Sequence, residues 1–202
     1  MKTINRVSRA VKQTDNRFLN MFELTGSMRN GGEKTYFMAS RSDSPEDLKL
    51  HSEEKPADAV MMYGICGGKI VLERQYRYTI DDYIYECPAG LLEAGEQPEE
   101  AAVREFFEET GMTFTPYTEH SSSRPYYPSI GVTDESIITI FGRAEGEPTA
   151  EHQEESEDIH VVLADREECR RILREENVSM LCAFLLFCFL SADDADPFAF
   201  LV

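Results

Sequence analysis

Residues 90–112, GLLEAGEQPEEAAVREFFEETGM, carry seven glutamates and one arginine in 23 positions. Within them a helix is predicted from Pro98 to Thr110. Proline tolerates the first helical turn, Glu99 and Glu100 suit the positive end of the helix dipole, and Gly111 can close the helix in a left-handed conformation. At about 100° per residue, Glu105, Glu108 and Glu109 fall together at i, i+3 and i+4. Ala102, Val103, Phe106 and Phe107 are read as the apolar side that seats the helix on a sheet. Like charges at those spacings repel by about 0.2–0.5 kcal/mol per pair. A hard divalent cation reverses the sign, because Mg²⁺ seeks carboxylate oxygens and keeps waters that phosphate oxygens can replace. Arg104, four residues before Glu108, can pin that carboxylate. Spacing alone suits a solvated charged face equally well.

Several elements must position this segment. Phe18–Leu24 and Lys34–Ser40 are predicted as strands around a turn at Asn30-Gly31-Gly32. A polar stretch ends near Pro56. Ala59–Cys66 and Lys69–Arg77 then form a hairpin around Gly67-Gly68, and Tyr83–Cys87 leads into the glycine-punctuated loop before the helix. Further strands are predicted at Ser136–Glu145 and Asp158–Asp165, with helices at Asp165–Asn177 and Met180–Leu190. The irregular alternation points to an α+β, mixed-sheet layered fold. The organisation expected is a small N-terminal β segment, 1–56, followed by a domain over 57–202.

Bulk properties narrow the function. The 202 residues hold 38 acids against 20 Lys and Arg, a formal charge of -18, which disfavours nucleic acid and anionic membranes as broad partners. An anionic substrate would need bound cations or local basic residues. Five cysteines without a CxxC spacing suit reduced thiols in a cytoplasmic protein. The basic N-terminus lacks the apolar run of a secretory signal, and the 11-residue run Met180–Leu190 is too short to span a bilayer. The four histidines, His51, His120, His152 and His160, lack ligand-like spacing and read as structural or solvent-facing.

Gly90, Glu96, Arg104-Glu105-Phe106, Glu108-Glu109 and Gly111-Met112 together resemble the Nudix box at every position. The resemblance implies a Nudix hydrolase: an α/β/α sandwich around a mixed sheet, cleaving a nucleoside diphosphate linked to another group with Mg²⁺ or Mn²⁺. It implies Glu105 and Glu109 as principal metal ligands and Glu108 as a further ligand or orienter of water. Arg104 would hold the carboxylates in place.

Outside the box, ERQYRY (Glu73–Tyr78), ECPAG (Glu86–Gly90) and YYPSIGVTDE resemble the ADP-ribose pyrophosphatase branch of the family. That resemblance implies Ala89 as a backbone metal ligand and assigns Glu86 and Pro128 to substrate binding. Pro128 lies 16 residues beyond Met112, and Ile130 stands where the branch often has a second proline. EESEDIHVV resembles the segment that supplies a catalytic glutamate, which implies Glu155 as general base and Glu157 as a further ligand or alternative base. Arg74 and Arg77 suit phosphate pairing through a planar fork, or rim ion pairs with neighbouring acids. Tyr83 and Tyr85 suit base stacking or sheet packing. The expected reaction is hydrolysis of ADP-ribose to AMP and ribose 5-phosphate by a homodimer. The alternatives are a UDP- or GDP-hexose as substrate, a non-catalytic ADP-ribose-sensing module, and an acidic scaffold with no ligand.

Overall fold

The computed structural model describes residues 5–51, 55–117, 124–193 and 195–201, so the reading of His120 lies outside the described residues. The chain forms two compact units, one from Met1–Ala57 with Pro125–Ser136, the other from Asp58–Arg124 with Ile137–Val202. The segment Pro125–Ser136 thus belongs to the first unit.

That first unit is an antiparallel sheet of β1 (Val7–Lys12), β2 (Asn20–Ser27) and β3 (Glu33–Ser40), in that order. Phe22, Leu24, Met38 and Leu48 form its small core. The returning segment is tied on by backbone and side-chain bonds, Ala39 N–H to the Val132 carbonyl at 2.8 Å and the Tyr36 hydroxyl to the Gly131 carbonyl at 2.6 Å. Strand β1 was not foreseen, because VSRAVK mixes basic and small residues and carries little apolar signal.

The second unit is built on a seven-stranded mixed sheet. Its strands are β4 (Ala59–Cys66), β5 (Lys69–Arg77), β6 (Asp82–Glu86), β7 (Ala89–Leu91), β8 (Thr113–Pro116), β9 (Ile137–Glu145) and β10 (Ile159–Ala164). The main path runs β10-β5-β4-β9-β8, with β6 paired to β5 and β7 to β4. Among the described strands of this sheet β4 and β9 pair in parallel, and the other strand pairings are antiparallel. Strand β4 is buried almost throughout, which explains its unbroken apolar run AVMMYGIC.

Helices cover both faces. Alternation along β4 sends Met61, Tyr63 and Ile65 to one side, where they join Ile172, Leu185, Leu186 and Phe189 of α2 (Arg166–Glu175) and α3 (Met180–Ser191). On the opposite face α1 (Pro98–Thr110) lays Phe106 over Gly64 and stacks it on Phe114, with centroids 4.7 Å apart. The result is the α/β/α sandwich implied by the sequence. No described helix is long and apolar enough to cross a membrane. All five cysteines are free thiols.

The α1 face differs from the sequence reading. Ala101, Ala102, Phe106, Glu109 and Thr110 are buried, while Val103 and Phe107 remain about 40% exposed. Positions 102, 106 and 109 are spaced i, i+4 and i+7 and share one helical face. Glu109 therefore turns toward the sheet with Phe106, and the apolar stripe is narrower than its side-chain types suggested. The packing of β8 on β9 also requires glycine at 142, where a Cβ would meet the Phe114 ring and the Thr115 carbonyl oxygen, each at 2.5 Å. Gly142→Ala is expected to lower unfolding free energy by about 1–3 kcal/mol, the range for overpacking. Urea unfolding would check this, and an unchanged midpoint would contradict the packing account.

Candidate metal and catalytic site

The segment before α1 is set by hydrogen bonds rather than by its own propensity. Short strand β7 pairs Ala89, Gly90 and Leu91 with Met61, Val60 and Ala59 of β4. The helix begins at Pro98, where the Glu100 carboxylate accepts the Gln97 backbone N–H at 3.2 Å. It ends at Gly111, left-handed at φ 70°, whose N–H donates to the Phe107 carbonyl at 2.8 Å. Glu100 is thus consumed in capping, and Glu99 adds charge to the same first turn.

Arg104 organises the acids of the loop and helix. Its Nε and Nη2 donate to Glu96 Oε1 and Oε2 at 2.9 and 2.8 Å, a two-pronged pairing. Its Nη1 reaches Glu105 at 2.8 Å and Glu108 at 3.1 Å, and Nη2 also donates to the Leu91 carbonyl. Glu96, whose role was open in the sequence, is the brace that fixes Arg104, and it accepts the Glu93 N–H as well. Arginine beside it holds the Glu96 carboxyl far below its ordinary value, at about 2.

Glu105 lies against Gly90 so closely that a Cβ there would stand 1.9 Å from the Glu105 carboxyl carbon. The glycine is a steric requirement of the carboxylate's position. Burial pushes the Glu105 carboxyl above its ordinary pKa, and Arg104 opposes that rise. Glu109 is 5% exposed and accepts the Ala89 N–H at 3.0 Å; its own backbone carbonyl accepts from the Gln153 side chain at 2.7 Å. Burial first, then the nearby Glu73 carboxyl, push Glu109 well above the usual carboxylate range.

Glu73 is the residue that the sequence reading passed over. It sits on β5, 2% exposed, in hydrogen-bonding contact with Glu109, and burial pushes its carboxyl up as well. Its Oε1 has no hydrogen-bond partner. The signal was present in VLERQYR: a charged residue at the centre of a strand flanked on both sides by strands.

The other candidates separate by strand parity. Arg77 and Glu86 lie on the same sheet face as Glu73 and form an ion pair at 2.5 Å. Arg74 points to the opposite face, where its guanidinium lies 4.0 Å over the Tyr83 ring, away from the acids of α1. Adjacent strand residues face opposite ways, so Arg74 and Arg77 lie on different faces of the sheet. Tyr83 also donates to Asp158 at 2.6 Å, and Tyr85 is buried in the core. Tyr85 thus packs within the core, while Tyr83 stays partly exposed between Arg74 and Asp158. Glu157 is half-buried and acts electrostatically on Glu73, Glu105 and Glu109, whereas Glu155 is exposed in the preceding turn. Pro128 lies in a turn of the first unit. His152 and His160 are exposed, His152 against Phe107 and His160 beside Tyr83.

Among the described residues, no three carboxylate, imidazole or thiol side chains already converge as a ready metal cage. The donor chemistry nevertheless fits a hard cation that retains water. Glu105 and Glu109 supply oxygens near the β7 backbone, and the unpartnered Glu73 oxygen lies beside them.

The fold is thus a mixed-sheet α/β/α sandwich carrying a loop–helix cluster of carboxylates. The NUDIX domain model matches residues 55–182, and the chain belongs to that family. It is 35% identical over 113 residues to the ADP-ribose pyrophosphatase of Bacillus subtilis, covering 55% of this chain and 59% of the relative. It is 38% identical over 87 residues to the ADP-sugar pyrophosphatase of Mus musculus, covering 39% of this chain and 40% of that one. The chain thus spans less than two thirds of the length of either relative. A crystal structure of an ADP compounds hydrolase shares the fold, with a TM-score of 0.63 at 17% identity over 87% of this chain and 86% of the other.

The Glu96–Arg104 brace sets a pH dependence. A carboxyl lowered from 4.5 to about 2 favours folding above pH 4.5, and that contribution is lost as pH falls through 2. Glu96→Gln is expected to destabilise the fold at neutral pH by about 1 kcal/mol, the scale of a partly exposed charged hydrogen bond. The gap from the parent protein should close between pH 4.5 and 2. Unfolding curves across that range check it; a pH-independent gap would contradict the brace.

Proposed function

We propose that the protein is a divalent-cation-dependent hydrolase that splits the pyrophosphate of ADP-ribose into AMP and ribose 5-phosphate. The observation that carries this reading is the buried Glu109 carboxyl beside Glu105 and Glu73, a concentration of negative charge that a bound cation would offset. The names of the relatives support ADP-ribose as the first substrate to test.

Glu105, Glu109 and the Ala89 carbonyl would hold Mg²⁺ or Mn²⁺. Bound there, the cation would offset pyrophosphate charge and lower the pKa of a coordinated water. Arg104 keeps Glu105 and Glu108 from swinging apart, so that their oxygens face one region. Glu108, nearly half exposed, is free to orient water. In hydrolysis, the water oxygen bonds to one phosphorus and the bridging P–O bond breaks. The water's proton passes to a carboxylate, for which Glu157 is the better candidate on proximity and Glu155 the second. Arg77, oriented by Glu86, can direct its remaining guanidinium N–H groups to a phosphate. The molecule's excess of acids then ceases to be an obstacle, because substrate and protein meet across the cation.

The test is turnover of ADP-ribose with Mg²⁺, beside UDP-glucose and GDP-mannose, with products identified by chromatography. Equal amounts of AMP and ribose 5-phosphate are expected, abolished by chelation. Glu109→Gln should reduce turnover more than about 100-fold, the scale of losing one charge-stabilising group. Near-parental turnover by that variant would sink the metal-site reading, and tight ADP-ribose binding without any cleavage would support a sensor instead.

A further inference from the structure

Glu73 lies outside the loop–helix motif, at the middle of β5, where β6 pairs on one side and β10 on the other. A two-sided central strand position ordinarily takes an apolar residue, and Val71 and Leu72 beside it are fully buried. Glu73 is buried to the same degree, yet its Oε1 meets no hydrogen-bond donor. The charged groups around it are Glu109, Glu157, Glu86 and Arg77, three acids to one base. That base is committed to Glu86 through its Nε at 2.5 Å. Burial of an unpaired carboxyl oxygen beside a second buried carboxyl is strongly unfavourable unless a proton or a cation joins them.

A shared proton would satisfy the pair Glu73–Glu109 but leaves the second Glu73 oxygen without a partner. A cation does more. Oxygens from a strand and from a helix facing it suit a hard ion, which takes several oxygen ligands and tolerates water among them. Resting on the reading of Glu105 and Glu109 as cation ligands, we propose that Glu73 is a further carboxylate of that site, contributed by the sheet rather than by the loop–helix motif. It completes the donor set either directly or through a coordinated water, and it turns the inner wall of the site from apolar to anionic.

The test is Mn²⁺ binding to the purified chain without substrate, followed by calorimetry, together with thermal unfolding with and without the ion. Two variants are compared with the parent. Glu73→Gln reproduces the shape and donor capacity of a protonated acid, so the fold persists if a shared proton is all the residue provides. Glu73→Val gives the position the apolar side chain that its burial favours. Both should weaken Mn²⁺ binding about tenfold or more, the scale found for groups that support a metal's ligands. Both should also melt at or above the parent temperature without metal while losing most of the metal-induced rise. Parental Mn²⁺ affinity in either variant overturns the role of Glu73, as does a lowered metal-free melting temperature with an undiminished metal response. Glu109→Gln, measured alongside, separates the two levels. If it abolishes binding while the Glu73 variants bind normally, only Glu73 is misassigned. If it too binds normally, the ligand reading itself fails.

Discussion

A buried carboxylate needs a partner, and the whole arrangement of the second unit follows from where Glu109 finds its partners. One is the Ala89 N–H of β7, at 3.0 Å; another is the carboxyl of Glu73, which repels it when both are charged. Hydrophobic packing forces the situation. Phe106 is inserted over Gly64 and against Phe114, and the helical repeat then turns Glu109 to the same face. The apolar anchor of α1 therefore places an acid against the sheet, and no basic side chain comes with it.

Basic charge is available one turn away, but it is spent elsewhere. Arg104 divides its donors among Glu96, Glu105, Glu108 and the Leu91 carbonyl. This clamp keeps the exposed acids in order despite their mutual repulsion, while Glu109 is left to the interior. Gly90 contributes by what it lacks, since Glu105 occupies the space of its missing Cβ. Loop, helix and sheet thus bring carboxylates together where, on the proposed reading, a divalent cation would bind and phosphate oxygens would be natural further ligands.

Much of this was legible in the sequence for physical reasons. The boundaries of α1 follow from Pro98 and Gly111, and the hairpin of β4 and β5 from Gly67-Gly68 between apolar runs. Glu105, Glu108 and Arg104 were legible because they lie on one exposed arc within a few residues. Glu109 was expected on the exposed side of α1, because Phe107 and Val103 looked more suitable for burial by type, yet it faces the sheet. Glu73 showed in the sequence only as a charge inside an apolar strand; its meaning is tertiary, since only strand pairing brings residue 73 to residue 109. Strands β1, β7 and β8 escaped notice for a related reason. They are short or polar and owe their extension to neighbours, Met61 for Ala89 and Arg143 for Thr115. Arg74 and Arg77 looked equivalent until the pleat assigned them to opposite faces.

The central claim is that the carboxylate cluster between β7 and α1 is a divalent cation site. Crystals grown with Mn²⁺ and measured near the manganese absorption edge locate that ion directly. The account predicts an anomalous difference peak bordered by the Ala89 carbonyl and the carboxylates of Glu105 and Glu109. Ordered side chains at those three residues with no peak among them, or manganese found only elsewhere on the acidic surface, would contradict it.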